Sequence, residues 1–365
     1  MKKKKVTVGV LTGGGDCPGL NAVIRGVVKA SISKYDMGVV GFEDGFEGLV
    51  ERRSIPMDWL TVSGILTQGG TILGTSNTAN PFRWPVKDEK GKMSFKDVSD
   101  KAAAYIKELG IDSLVCIGGD GTMAIARKLS QKGIRIVGVP KTIDNDIWGT
   151  DITFGFDSAL QTATEAIDKI HSTAMSHHRV MVVEIMGRYA GWLTLESGIA
   201  AGGDIILIPE IPYDIKKVCA VVKKRSKQGR RFSIIVVSEG AKPIGGKLVV
   251  KQVVEESTDP IRLGGVGLKI ARDIEAQTGL ESRATILGHV QRGGTPSPYD
   301  RVLATRFGVK AAELCHSGVG GVMVAVKGSD IVTVPLSDVG GKTRLVDENH
   351  PLIDVAKNVG TCLGV

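Results

Sequence analysis

Two glycine-rich turns and one acidic loop carry the reactive groups of this sequence. The turns are Thr12-Gly13-Gly14-Gly15-Asp16 and Gly118-Gly119-Asp120-Gly121-Thr122, each after a short β-branched run. A turn without Cβ atoms lets backbone N–H groups approach phosphate oxygens, and a following helix N-terminus favours negative charge. Either turn alone serves equally well as a tight strand-to-helix connection. Two of them, one carrying Asp120, favour nucleotide phosphates. Neither fits the P-loop pattern with its lysine, nor a GxGxxG fingerprint. A carboxylate at Asp120 can hold Mg²⁺, which keeps several waters and bridges phosphate oxygens. The alternative for Asp120 is an Asx-turn cap.

The acidic loop is Pro140-Lys141-Thr142-Ile143-Asp144-Asn145-Asp146. Carboxylates at i and i+2 in an irregular loop can face one cleft. There one accepts a hydroxyl proton while the other orients it or supports a metal, as phosphoryl transfer requires. A polar turn held by local side-chain bonds reads equally well, and spacing does not choose between them. Arginine clusters beside turn residues in His177-His178-Arg179, in Met186-Gly187-Arg188 and from Arg283 through His289-Val290-Gln291-Arg292-Gly293-Gly294. Arginine binds phosphate with a bidentate fork, although a single arginine is more often a surface ion-pair partner. Arg188 and Glu239 each follow a predicted buried strand, which aims them at the ligand edge of a sheet. The histidines individually are ordinary polar residues.

The elements that must position these groups alternate. Strands are predicted at Val6–Leu11, Leu114–Ile117, Ile134–Val139, Val180–Ile185, Ile205–Ile208 and Phe232–Val237, with helices over about Leu20–Ile32 and up to about Gln131. This pattern predicts parallel sheets covered by helices on both faces. A first lobe is expected to run to about Phe154 and a second βαβ series from about Ser158. No Pro/Ser-rich linker separates them, so a shared cleft follows. Val86–Lys101 is expected to be a polar surface excursion.

The 365 residues suit two lobes. Hydrophobic residues make up 42% and charged residues 24%, an ordinary globular balance. The net charge is +8, four of those charges lying at Lys2–Lys5, which reads as a solvated tail. The dispersed remainder suits phosphorylated sugars and nucleotides. With aromatics at 5%, base-stacking platforms for nucleic acid are not expected. Five cysteines without a CxxC pair support neither a metal cluster nor a disulfide framework. No signal peptide or membrane-spanning run is read, and a cytoplasmic location is expected.

Five segments, in order, resemble the phosphofructokinase family: GGDCPGLN at Gly14–Asn21, IGGDGT at Ile117–Thr122, PKTIDND at Pro140–Asp146, EIMGRYAGWL at Glu184–Leu193 and ATILGHVQRGG at Ala284–Gly294. Together they span nearly the whole chain and are far more specific than one glycine loop. The resemblance implies an α/β fold of two Rossmann-like lobes, mainly parallel sheets sandwiched by helices, with the active site in the cleft between them. The donor lobe would comprise 1–155 with about 291–340, and the fructose 6-phosphate lobe 156–290 with about 341–365.

It implies Asp144 as the base for the sugar 1-hydroxyl, flanked by Thr142, Ile143 and Asp146. Gly15, Gly119, Asp120, Gly121 and Thr122 would line the ATP site, with Asp120 on Mg²⁺. Met186, Gly187, Arg188 and Glu239 would hold the sugar. Arg179, Arg283, His289 and Arg292 would meet its phosphate, with Val290 and Gln291 as further substrate-binding residues. Related enzymes supply the matches to Arg179 and Arg283 from a neighbouring subunit, so a homodimer or homotetramer is implied.

Family members use ATP or pyrophosphate, and Gly121 with Lys141 is a mixed signature. Pyrophosphate users commonly carry Asp after GGD and Lys before TIDND. A carboxylate at 121 would occupy and repel the α-phosphate and ribose, whereas glycine leaves that space open. The expectation is therefore an ATP-dependent 6-phosphofructokinase acting in glycolysis; the alternative is a pyrophosphate-dependent fructose 6-phosphate 1-phosphotransferase. Many ATP-using relatives carry an arginine near Asn77, and Arg83 is the nearest substitute. Arg25 and Arg53 match parts of the bacterial effector site, but Lys29, Asp204 and His171 differ, so its usual regulation is not carried over. A lipid or NAD kinase shares the GGDG turn, but the arginine-bearing segments fit a phosphorylated sugar better. A non-catalytic relative would not be expected to keep Asp120, Asp144 and Arg188.

Overall fold

The computed structural model describes residues 5–87, 93–253 and 261–365. Lys2–Lys4 of the basic tail and the centre of the expected 86–101 excursion lie outside the described residues. In chain order the elements are β1 (Thr7–Gly13), α1 (Leu20–Tyr35), β2 (Gly38–Phe42), α2 (Phe46–Glu51), β3 (Ser54–Met57), β4 (Trp84–Lys87), β5 (Met93–Lys96), α3 (Ser99–Glu108), β6 (Ser113–Gly118), α4 (Asp120–Gln131) and β7 (Ile136–Pro140). There follow α5 (Phe156–His177), β8 (Val180–Ile185), α6 (Trp192–Ala200), β9 (Ile205–Leu207), α7 (Ile215–Lys227), β10 (Ser233–Ser238), β11 (Val250–Val253), β12 (Ile261–Leu263), α8 (Val266–Thr278) and β13 (Ser282–Ile286). The chain closes with α9 (Pro298–His316), β14 (Val322–Lys327), β15 (Asp330–Pro335), α10 (Leu336–Val339) and α11 (Pro351–Asn358).

Two sheets carry the structure. One has seven strands in the order β15-β14-β7-β6-β1-β2-β3, the other four in the order β13-β8-β10-β9. The four-stranded sheet is parallel throughout, and the larger sheet is parallel except at its edges, where β3 and β15 run antiparallel to their neighbours. Their central strands are apolar on both faces, as strands covered by helices must be. Along β6 and β7, Val115, Ile117, Val137 and Val139 face one apolar cluster while Leu114, Cys116 and Ile136 face another. Along β8, Val183 and Ile185 belong to the first of these clusters, whereas Val180 and Val182 belong to a third. The first cluster therefore runs continuously between the sheets, and the two halves share one core. That continuity holds the strand ends of both sheets at a fixed spacing.

The expected strands are all present with small shifts. The third begins at Ile136 rather than Ile134, with the Arg135 carbonyl just before it accepting the Leu114 N–H. The polar excursion is shorter than expected. β4 and β5 form an antiparallel hairpin, and Ser99, fully buried, already opens α3. β13 was not anticipated as a strand, since its sequence alternates polar and apolar residues and its burial is only partial.

Candidate active site

Strand register places the chemistry. Gly13 pairs with Gly118, and Gly118 with Pro140, so β1, β6 and β7 end level. Gly14-Gly15, Gly119-Asp120 and Lys141 thus emerge side by side at the carboxyl edge, where open α/β sheets bind ligands. The turn into α4 is a single residue, Gly119. The Thr122 side chain fills the crease below it: a Cβ on Gly13 or Gly118 would lie 2.8 or 2.2 Å from the Thr122 hydroxyl oxygen. Lys141 is buried and donates its ammonium to the Gly15 carbonyl. Burial pulls its pKa below the usual lysine range.

The second sheet contributes in the same way. Ile185 on β8 pairs with Ser238 on β10, so Met186-Gly187-Arg188 and Glu239 leave adjacent strand ends. Gly187 has φ +142°, and the Ser238 hydroxyl donates to its carbonyl. A Cβ on Gly240 would sit 1.9 Å from the Arg188 carbonyl oxygen, so only glycine lets the two strand ends close.

One cleft of about 230 Å³ is lined by both glycine turns, by Ser76 and Asn77, by Lys141, Thr142, Asp144 and Asp146, and by Arg292. Asp144 has its pKa raised by burial, opposed by the charges of Arg292, Arg188 and Lys141. Its Oδ1 is buried and has no hydrogen-bond partner. Asp146 is pushed up to about 7 by burial and by repulsion from Asp144, against a hydrogen bond from Thr142. Glu239 is likewise pushed up to about 7, by burial first and then by Asp144, against the charge of Arg188. The charge of Arg188 therefore acts on a carboxylate of each half.

The acidic loop has a defined shape. Asn145 adopts φ +52°, a left-handed conformation that asparagine tolerates better than most side chains. Its Oδ1 accepts the Thr153 N–H at 3.1 Å, and the Thr153 hydroxyl donates to the Thr142 carbonyl at 2.9 Å. The Thr142 hydroxyl accepts the Asp144 N–H at 3.1 Å. Local polar bonding and aimed carboxylates, alternatives on the sequence, thus coexist here. Sequence reasoning missed Thr153, Arg344 and Glu184. Glu184 is buried and accepts N–H bonds from Gly265 and Gly267 at the start of α8; a carboxylate inside an apolar strand was the available signal.

The remaining anticipated residues divide by place. Arg292 lies over Gly15 and donates to the Asp16 carbonyl at 3.0 Å, on the glycine-turn side of the cleft. Gln291 is 0% exposed; its amide spans the Met186 N–H (3.3 Å) and the Gly288 carbonyl (3.0 Å), holding β8 to the following turn rather than facing solvent. The Ile143 side chain is in the core, which leaves only its backbone for a ligand. His289 and Val290 are exposed on the turn Gly288–Arg292. Arg179 and Arg283 are not among the cleft-lining residues. Both pair with Glu281, at 2.8 and 2.6 Å. Arg83 does not replace the missing arginine near Asn77: it is exposed, and its guanidinium lies 3.7 Å from the Phe95 ring centre. Asn77 itself lines the cleft. Of the residues compared above with the bacterial effector site, Arg53 pairs with Asp44 and Glu47, and Asp204 with Arg225.

The donor set fits a hydrated divalent ion. Among the described residues no group of three or more His, Cys, Asp or Glu side chains can cage a metal alone. Mg²⁺ needs only one or two carboxylates beside water and phosphate oxygens. Asp120 keeps one oxygen on the Gly341 N–H (2.9 Å), and burial raises its pKa. A cation beside Asp120 and Asp146 would relieve a repulsion already present between them.

A family model described as phosphofructokinase matches residues 7–315. The chain is 53% identical over 354 residues to ATP-dependent 6-phosphofructokinase 2 of Clostridium perfringens, covering 97% of each chain. Several further relatives at about 50% identity over the whole chain are also named ATP-dependent 6-phosphofructokinase. It is 50% identical over 341 residues to the pyrophosphate–fructose 6-phosphate 1-phosphotransferase of Streptomyces coelicolor, covering 93% of this chain and 96% of that one. Among solved structures, the phosphofructokinase of Pichia pastoris in its T-state superposes with a TM-score of 0.78 at 31% identity. The match takes in 99% of this chain and 37% of the yeast chain.

Proposed function

The chain belongs to the phosphofructokinase family, and from that premise we propose that it is an ATP-dependent 6-phosphofructokinase, moving the terminal phosphoryl group of ATP to the 1-hydroxyl of fructose 6-phosphate. The observation that carries this reading is Asp144. Its Oδ1 is buried, lacks a partner, and lies in one cleft with the glycine turns of β1 and β6. A buried acceptor without a donor is costly, and an incoming hydroxyl supplies the donor. The Asp144 carboxylate takes the hydroxyl proton as the oxygen attacks phosphorus, and Asp146 with the Thr142 hydroxyl fixes the loop around it.

The sugar is held by the Met186–Arg188 turn and Glu239, with Arg188 as its cationic contact. Its phosphate is met by Arg292 and His289 and, from a neighbouring copy, by Arg179 and Arg283. The last two pair with Glu281 and do not line the chain's own cleft, which supports a homodimer or homotetramer. Residues 1–155 with about 291–340 form the donor lobe and 156–290 with about 341–365 the sugar lobe, a division that the strand membership of the two sheets supports. Asp120 would hold Mg²⁺, whose charge would offset that of the donor phosphates. Gly15 and Gly119–Thr122 keep backbone N–H groups open to those phosphates. Five free cysteines, four of them buried, suit the reducing cytoplasm where we place the reaction.

ATP is the donor on this reading because a Cβ at Gly121 would meet nothing within 4 Å, leaving room for the α-phosphate and ribose. Lys141 is engaged with the Gly15 carbonyl and braces the turn for either donor. Initial rates with fructose 6-phosphate and Mg²⁺, ATP against pyrophosphate, test it. Turnover at least about 10-fold faster in kcat/KM with ATP is expected, a difference of about 1.4 kcal/mol. Faster turnover with pyrophosphate replaces ATP as the donor, and no turnover with either ends the reading.

A further inference from the structure

Residues 340–346 cross from the larger sheet to the smaller one and touch the acidic loop on the way. The Gly341 N–H donates to Asp120 Oδ1 at 2.9 Å. Thr343 then pairs with Ile147. Arg344 makes two bonds to consecutive carbonyls of the loop: its backbone N–H to Asp146 at 2.7 Å and its Nη1 to Asn145 at 3.0 Å. Its guanidinium lies 4.0 Å from the ring centre of Trp192, whose Nε1–H donates back to the Arg344 carbonyl at 2.9 Å. Trp192 opens α6 just after Gly191. The N–H groups of Gly191 and Val346 both donate to Glu210 Oε1, each at 2.9 Å.

We propose that Arg344 is a positioning residue for Asp144, and that through it the small sheet's α6 sets the orientation of the acidic loop. The proposal rests on reading Asp144 as the base. Asn145 is strained into the left-handed region, so the peptide planes beside it need an outside hold. Two bonds from one residue to successive carbonyls supply that hold by fixing the rotation of both planes. Arg344 does not itself line the cleft. Its loss therefore displaces the base without removing any group that binds substrate. A misplacement of about 1 Å costs a reaction about 10²-fold in rate while leaving binding intact. The stack on Trp192 makes the guanidinium plane, rather than its charge alone, the feature that matters.

The test is Arg344→Met, which keeps an unbranched side chain of similar length, removes the guanidinium with its bond to the Asn145 carbonyl, and leaves the backbone bond to Asp146. Expected are a kcat lower by about 10- to 100-fold and KM values for sugar and donor within about 3-fold of the parent. The conservative Arg344→Lys keeps the cation and should recover only part of the loss. Trp192→Phe removes the indole N–H and shrinks the ring beneath the guanidinium. It should lower kcat in the same direction, and the double variant should fall short of the product of the singles. An unchanged kcat in both single variants, or a kcat loss matched by rising KM and a falling melting temperature, overturns the proposal. Amide hydrogen exchange over 143–148 reads the same contact without activity. Exchange at least about 10-fold faster in Arg344→Met supports the hold even if the parent turns over neither donor, and unchanged protection refutes it.

Discussion

Replacing Gly121 with aspartate isolates the argument about the donor. Gly121 is the second residue of α4, at an ordinary helical φ, and a Cβ there enters open space. The substitution should not harm folding. An acidic side chain in a helix's first turn gains about 0.3–1 kcal/mol from the helix dipole, and aspartate is better than glycine in a helix by about 0.3 kcal/mol. The new carboxylate would project into a cleft already lined by Asp120, Asp144 and Asp146. For unit charges about 6 Å apart at an effective dielectric of about 20–40, repulsion of a donor phosphate costs about 1.4–2.8 kcal/mol, or about 10- to 100-fold. Steady-state kinetics of Gly121→Asp should therefore show kcat/KM for ATP reduced by that factor. The KM for fructose 6-phosphate should stay within about 3-fold, because its proposed contacts at Met186–Arg188 and Glu239 leave the smaller sheet. The ratio of pyrophosphate to ATP turnover should rise, since pyrophosphate lacks the α-phosphate and ribose that the carboxylate displaces. Unchanged ATP kinetics in a normally melting variant would refute both the steric and the electrostatic reasoning.

Two further outcomes follow from the carboxylates. Asp144→Ser should lower kcat by at least about 10²-fold with fructose 6-phosphate binding retained, as measured by calorimetry of the unreactive complex; normal turnover would remove Asp144 from the role of base. Asp146 and Glu239 are pushed up to about 7 and Asp300 to about 6, in each case mainly by burial, from ordinary values of 3.8 or 4.5. Between those ordinary values and about 7 the native state binds more protons than the unfolded chain, so stability falls as pH rises. The exposed carboxylates held low, Asp58, Asp97 and Glu281, titrate below this window and do not offset it. The melting temperature of the metal-free protein should be higher at pH 5.5 than at pH 8, and a rise towards pH 8 would contradict this account.

Much of the site was legible before the fold because the chemistry is local in sequence. Gly119, Asp120 and Gly121 are consecutive, and a glycine turn between a β-branched run and a helix means the same thing wherever it is met. Asp144 and Asp146 share one short loop. The parallel α/β architecture was legible for a similar reason: strands buried on both faces must be written as continuous apolar runs. β13 escaped because it is only partly covered, and α3 because its polar first turn reads like the loop before it.

The sequence by itself determined the reactive groups, the strand-and-helix alternation and the glycines that let backbones meet ligands, since each is a property of neighbouring residues. Only the tertiary structure decided how Asp144 is held and which cations share its field. Lys141 belongs to its own loop, but Arg188 and Arg292 reach it from two other stretches of chain, and Arg344 grips its loop from 199 residues beyond Asn145. No periodicity records such pairings, because they depend on level strand ends and on one apolar core that fixes two sheets against each other.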